Sequence, residues 1–381
     1  MPYLLALAAY FTIGCMVLTA NTVITPVEEE YGLLHASSAM LITFLSLGNL
    51  IMGAAGNLVT ARFGRRRMLF IYAALIVVSY ALFALLPVPA AWYPLMLLAG
   101  ISWGGINTLN NTVVAELYDG SASRLNILHA SYAVGAIVFP LIVGFLTAAG
   151  FSWRIPVVLV SVIALLLLIF SWFVRLPEAG QAASNMDSKM KFWRMPGFYL
   201  AVATFFTYVG VESSAGAWLS GYLSSVNTFF AENVPAQTMV SLMWGMMLCG
   251  RLLFSAVGAR LDKYRLLVLL SCGYLLGMLG IVFLSASTPL AILSVAVMGL
   301  SMSAIYGTAV ANFSRYITGS PLASGIILGI GGLGSACIPF LAGKIADAGS
   351  LRTGMIFLAV ILVLLVGITA ASSVVLKKED A

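Results

Sequence analysis

"VGAIVFPLIVGFLTAAG" (residues 134–150) and "LGSACIPFLAGKIADAG" (residues 333–349) stand far apart in one chain and read as copies of each other. Gly135 matches Gly334, Pro140 matches Pro339, Gly144 matches Gly343 and Gly150 matches Gly349, all at a spacing of 199. A second pair of landmarks, "RFGRRR" (62–67) and "RLDKYR" (260–265), recurs 198 residues apart, each closing the second apolar run of its half. Two independent landmarks at nearly one offset mark an internal duplication. The duplicated unit is a series of apolar runs of about 20 residues, the length that crosses ~30 Å of hydrocarbon.

Composition agrees with that reading. The 381 residues are 61% hydrophobic and 8% charged, with a mean hydropathy of +1.05, whereas a soluble domain carries about 25% charged residues. Apolar runs fall at 3–25, 37–60, 68–87, 93–116, 126–149, 155–174, 197–223, 237–259, 266–286, 289–313, 322–344 and 354–375. They must be helices, because an open strand would leave its backbone polar groups unpaired in lipid. The longest polar break, "RLPEAGQAASNMDSKMKFWRMP" (175–196), divides six runs from six. The sequence therefore predicts an all-α integral membrane protein with twelve transmembrane helices in two pseudo-symmetric six-helix bundles. The bundles are 1–175 and 197–381, and 176–196 is the cytoplasmic linker.

The net charge of +6 concerns topology, not a polyanionic partner. With the amino terminus in the cytoplasm, 15 of the 19 Lys and Arg fall in inner segments, and Arg154, Lys344 and Arg352 in outer ones. The positive-inside rule then puts both termini in the cytoplasm of a multi-pass bacterial inner-membrane protein. The first run has no basic stretch before it and is read as a retained helix, not a signal peptide. Cys15, Cys249, Cys272 and Cys337 lie in apolar runs, without metal-ligand spacing.

The loop Arg62-Phe63-Gly64-Arg65-Arg66-Arg67 and its echo at 260–265 resemble the cytoplasmic loops of the major facilitator superfamily. Where that pattern has an Asp before the first Arg this chain has Ala61, Gly56 stands one position off, and Asp262 is left to serve the second half. The resemblance implies a gating role for Arg62, Gly64, Arg65, Arg66, Arg67, Arg260 and Asp262. A solvated topogenic cluster accounts for the arginines alone equally well. Within the superfamily, "WGGINTLNNTVVAELYDG", "SRLNILHASYAVGA", "YVGVESSAGAWLSGYL", "SLMWGMMLCGRLLFS" and "GLSMSAIYGTAVANFSRY" are similar, in order and spacing, to the fucose permease-like (sugar:proton symporter), TsgA-like branch. That branch carries an Asp in the first span and a Glu in the fourth. Aligning "TANTVITP" and "INTLNN" puts Thr22 and Asn107 at those places, and neither takes up a proton. Coupling to protons would need another acid.

Glu212, inside "FTYVGVESSAGAWLSGYL" (206–223), is that acid. Counted from about residue 198 it lies ~21 Å into the membrane. An ionised carboxylate there costs at least ~2.5 kcal/mol, so it should face a cavity, a partner or a proton. Arg251 is its candidate partner, at a depth ~8 Å different, so that two extended side chains could just meet, or could meet in one conformer only. Alternatively, Arg251 clamps backbone carbonyls and Glu212 is a structural carboxylate. Asn107 and Asn111 share a helix face with Trp103, and amides beside flat rings suit vicinal hydroxyls and the apolar face of a sugar. Asn21, His129, Tyr208, Trp218, Trp244 and Tyr306 complete the candidate lining; packing and interface anchoring are the competing roles for the aromatics.

The sequence thus points to a secondary transporter working by alternating access, importing a small neutral polar solute such as a monosaccharide with H⁺, or with Na⁺, and acting as a monomer in the bilayer. The Met-rich stretch Met243 to Met247 leaves open efflux of an amphipathic compound, and a sensor that does not transport also stays open. No catalytic constellation, cofactor, metal or nucleic-acid partner is implied.

Overall fold

The computed structural model describes residues 1–118, 121–177, 192–257, 261–317 and 321–380. Among them all regular structure is helical. The first helices are α1 (Pro2–Thr22), α2 (Ile24–Tyr31), α3 (His35–Phe63), α4 (Arg65–Leu85), α5 (Pro89–Leu117), α6 (Ala122–Ala148) and α7 (Arg154–Phe173). After a short 3-10 turn (Phe192–Arg194) come α8 (Pro196–Val226), α9 (Thr228–Glu232), α10 (Gln237–Val257), α11 (Lys263–Leu284), α12 (Thr288–Met302), α13 (Ile305–Asn312), α14 (Ser314–Ile317), α15 (Pro321–Ala348) and α16 (Leu351–Asp380). Among the described residues, nine helical stretches are long and apolar enough to cross a membrane. Helices α5, α8 and α10 are as long but fall outside that set, and they carry Asn107, Glu212 and Arg251.

The chain divides into two compact units, Met1–Leu33 with Ser37–Ala183, and Leu34–Ala36 with Ser184–Ala381. Taken separately, the units are built alike. In the first, α6 packs along α1, and α4 packs on α5 and α7; in the second, α15 packs along α8, and α11 packs on α12 and α16. The duplicated motif explains the closest of these contacts. A Cβ on Gly135 would collide with the Phe11 carbonyl of α1, and one on Gly334 with the Phe206 carbonyl of α8. In lipid, helices gain little from the hydrophobic effect, so close backbone approach at small residues holds such pairs together. Pro140 and Pro339 lie inside α6 and α15 at matching positions.

The tenth run is not one uninterrupted helix. It stops at Met302 and resumes at Ile305, with Ala304 at φ −113°, ψ 0°. Ser303 Oγ donates back to Leu300 O at 2.6 Å, the local side-chain bond that competes with a helical ladder. Gly250 of α10 lies hard against Ser303.

Candidate functional site

In the first unit the polar centre lies where α1 meets α5. Asn107 and Asn111, one turn apart, are bridged by the buried phenol of Tyr10. Tyr10 Oη donates to Asn107 Oδ1 at 2.6 Å and accepts from Asn111 Nδ2 at 2.5 Å. Asn111 Nδ2 also reaches Asn107 O at 2.9 Å and Oδ1 at 3.1 Å. Both asparagines and Trp103 are half-buried, so amide capacity remains for a solute. His129 of α6 is exposed and sets its ring edge-on to Tyr10, centroids 5.3 Å apart. Asn21 is not brought here. It sits eleven residues along α1, ~16 Å away at helical rise, buried with its Oδ1 unpartnered. Thr22, at the family's first-span acid position, hydrogen-bonds its own helix at Leu18 O, 2.7 Å. Tyr10 escaped the sequence reading because a lone tyrosine in an apolar run looks like packing. Asn110 is wholly buried with neither amide atom partnered; the i, i+4 spacing of Asn107 and Asn111 does not pick it out.

In the second unit Glu212 is half-buried at the middle of α8. Tyr208 stands one turn earlier on α8, and Arg251 of α10, Tyr274 of α11 and Tyr306 of α13 lie within electrostatic reach of the carboxyl. Arg251 is near but not closed onto the carboxylate as an ion pair; its Nη2 instead contacts Met247 Sδ at 3.4 Å. Tyr208 Oη donates to Met302 O at 3.2 Å. Tyr306 is 43% exposed and meets Phe205 edge-on at 5.3 Å, and Trp244 is half-buried. Trp218 is buried and donates from Nε1 to Pro339 O at 3.2 Å, a tie between α8 and α15.

The loops hold the remaining charges. Gly64 takes a left-handed φ of 87° at the start of α4. That turn sends Arg65 inward, its side chain only 5% exposed, where both terminal nitrogens bond Glu116 at 2.6 Å. Arg62, Arg66 and Arg67 are exposed, and Arg66 donates to Trp172 O. Asp262 caps α11 by accepting from Tyr264 N at 2.9 Å and Arg265 N at 3.1 Å. The hydrogen bond from Lys377, 2.9 Å away, is the main reason its carboxyl is held down at about 2. Arg260 lies outside the described residues. Next to α7, Glu30 takes both Arg154 nitrogens, at 2.7 and 2.9 Å, and Trp153 Nε1 at 2.6 Å. The Arg154 bonds come first among the causes that hold its carboxyl below the usual range. Among the described residues, no group of three or more His, Cys, Asp or Glu is placed to hold a metal ion.

A family model described as Major Facilitator Superfamily matches residues 4–320. The chain belongs to that superfamily. As a superfamily member with several membrane-length apolar helices it is a transporter, not an enzyme, and a multi-pass protein of the cell membrane. It is 24% identical to the glucose/mannose transporter GlcP of Bacillus subtilis (strain 168), over 96% of this chain and 93% of that one. It is also 24% identical to protein TsgA of Escherichia coli O6:K15:H31 (strain 536 / UPEC), over 89% and 86%. Superfamily structures share the fold: the nucleoside transporter NupG (D323A mutant) aligns with a TM-score of 0.81 at 15% identity, over 98% of this chain and all of that one. A D-xylose-proton symporter aligns at 0.76 and 16%, over 96% of each chain.

Proposed function

We propose that the protein is a secondary transporter working by alternating access, importing a small neutral polar solute, a monosaccharide or related polyol, together with protons. The proposed topology has twelve membrane-crossing helices, six in 1–175 and six in 197–381, with 176–196 as linker and both termini cytoplasmic. The crowding of Lys and Arg into alternate loops supports it. The observation that carries the reading is Glu212. It lies sixteen residues into α8, ~24 Å along the helix, half-buried, with a phenol at hand and a guanidinium near but not closed on it. A carboxylate held at that depth without a fixed counter-ion suits a group that gains and loses a proton. Arg251 would meet it in one conformer and leave it in another.

Asn107, Asn111 and the Tyr10 hydroxyl form a cluster of donors and acceptors beside Trp103, the chemistry that hydroxyls on a ring require. Within the second unit, taken by itself, Trp244 and Tyr306 offer aromatic surface. The substrates of the glucose/mannose transporter and of the structurally similar D-xylose-proton symporter agree with this class.

The test is reconstitution of the full chain into liposomes with D-glucose, D-mannose and D-xylose under an imposed pH or sodium gradient. Glu212→Gln should lose gradient-driven accumulation and keep counterflow. Retained accumulation in that variant removes Glu212 from coupling. Uptake driven by sodium alone removes the proton, and movement of hydrophobic cations with no sugar uptake favours efflux.

A further inference from the structure

We propose that Tyr208 is a positioning residue that transmits the protonation state of Glu212 to the break between α12 and α13. The proposal rests on the reading of Glu212 as the titrating acid and assigns the route by which that titration moves the backbone.

A phenol has one proton to donate. Here it goes to Met302 O at 3.2 Å, while Glu212 stands one turn later on the same helix, the i, i+4 neighbour of Tyr208. Met302 closes α12. In an unbroken helix its carbonyl would accept from the amide of residue 306, but the chain breaks at Ser303 and Ala304, and the ladder of α13 restarts with Thr308 N to Ala304 O at 2.9 Å. A carbonyl at a helix end inside the protein requires a donor, and Tyr208, 2% exposed, supplies one.

Among the described residues, the charged and titratable groups that bear on Glu212 are Tyr208 on its own helix, Arg251 on α10, Tyr274 on α11 and Tyr306 on α13. The Tyr274 ring lies 6.5 Å from that of Tyr208, and its hydroxyl is buried without a partner. Tyr306 occupies the first turn after the break, and Gly250, next to Arg251, packs directly on Ser303. Hydrogen-bond logic then yields two arrangements. A protonated Glu212 donates its own O–H to the Tyr208 oxygen and leaves the phenol proton on Met302 O. An ionised Glu212 only accepts, so it draws the phenol proton to itself and leaves Met302 O to the backbone amide of Tyr306, which straightens the helix. The only proton gained or lost is the one on Glu212. A two-state element biased by one charge is what such switching requires.

Amide hydrogen exchange of residues 303–308, measured on the full chain in lipid nanodiscs between about pH 5 and pH 8 and corrected for intrinsic rates, tests this. Wild-type protection should change about 5-fold or more across that range. Tyr208→Phe should make it independent of pH, and Glu212→Gln should hold it at the wild-type acid value. A Tyr208→Phe protein whose exchange still follows pH as the wild type does overturns the proposal. If Tyr208→Phe lacks counterflow and so is not folded, Glu212→Gln decides: a pH response that persists there overturns it. Loss of accumulation in Glu212→Gln together with an unchanged response in Tyr208→Phe removes only Tyr208. Normal accumulation in Glu212→Gln removes the coupling reading itself.

Discussion

Arg65 and Glu116 join the start of α4 to the end of α5, and replacing Glu116 by Gln tests how much that tie holds. Both terminal nitrogens of Arg65 bond the carboxylate at 2.6 Å, in the forked geometry only guanidinium offers. The arginine side chain is 5% exposed and the glutamate 42%. Breaking a fully buried pair costs 3–5 kcal/mol, while an exposed pair contributes 0–1. With one partner buried and the other nearly half in solvent, Glu116→Gln should cost about 2 kcal/mol. At about 2–4 °C per kcal/mol for a domain of this size, the melting temperature should fall by ~4–8 °C. Tryptophan fluorescence of detergent-solubilised protein during heating measures it. The double variant Arg65→Met with Glu116→Leu removes the charges together and should recover at least half of the loss, because no guanidinium is left buried without its carboxylate. A Glu116→Gln protein melting within ~1 °C of wild type, or a double variant melting as low as the single, would refute the reasoning.

Gly334→Ala should destabilise the second unit by about 1–3 kcal/mol, since the new Cβ meets a backbone carbonyl that cannot rotate away; folded yield and melting temperature are the readouts, and a wild-type melt would show that α15 can shift freely from α8. Acid stability should depend on Asp262. Its folded value of about 2 lies below its usual 3.8, so its contribution is present above about pH 3.8 and lost as the pH falls towards 2. Melts of wild type and Asp262→Asn at pH values across that window should converge at the acid end and separate above it.

The repeat was legible because its glycines and prolines do backbone work. Gly135 and Gly334 are fixed by the approach of α6 to α1 and of α15 to α8, which no other residue permits. Glu212 was legible because a carboxylate in an apolar run has no packing explanation. The partners of these groups were not legible. Tyr10 lies 97 positions from Asn107, Arg65 51 from Glu116 and Tyr208 94 from Met302. No local pattern records which helix will turn towards which. Trp218 was read as lining for a solute; in the structure it is buried and bonded to Pro339 O. Asn21 shares α1 with Tyr10 but lies too far along it to join the same cluster.

By itself the sequence determined the class of protein, its duplication and where along each helix its polar residues stand. Those follow from run length, hydropathy and rise per residue, properties each helix has alone. Only the tertiary structure decided which hydroxyl bridges Asn107 and Asn111, that Arg251 contacts Met247 and is not ion-paired with Glu212, and that the helix breaks between α12 and α13 where Tyr208 meets it. Hydrogen bonds and ion pairs in a low-dielectric interior depend on ångström-scale placement of groups from different helices, and that placement exists only once the helices have packed.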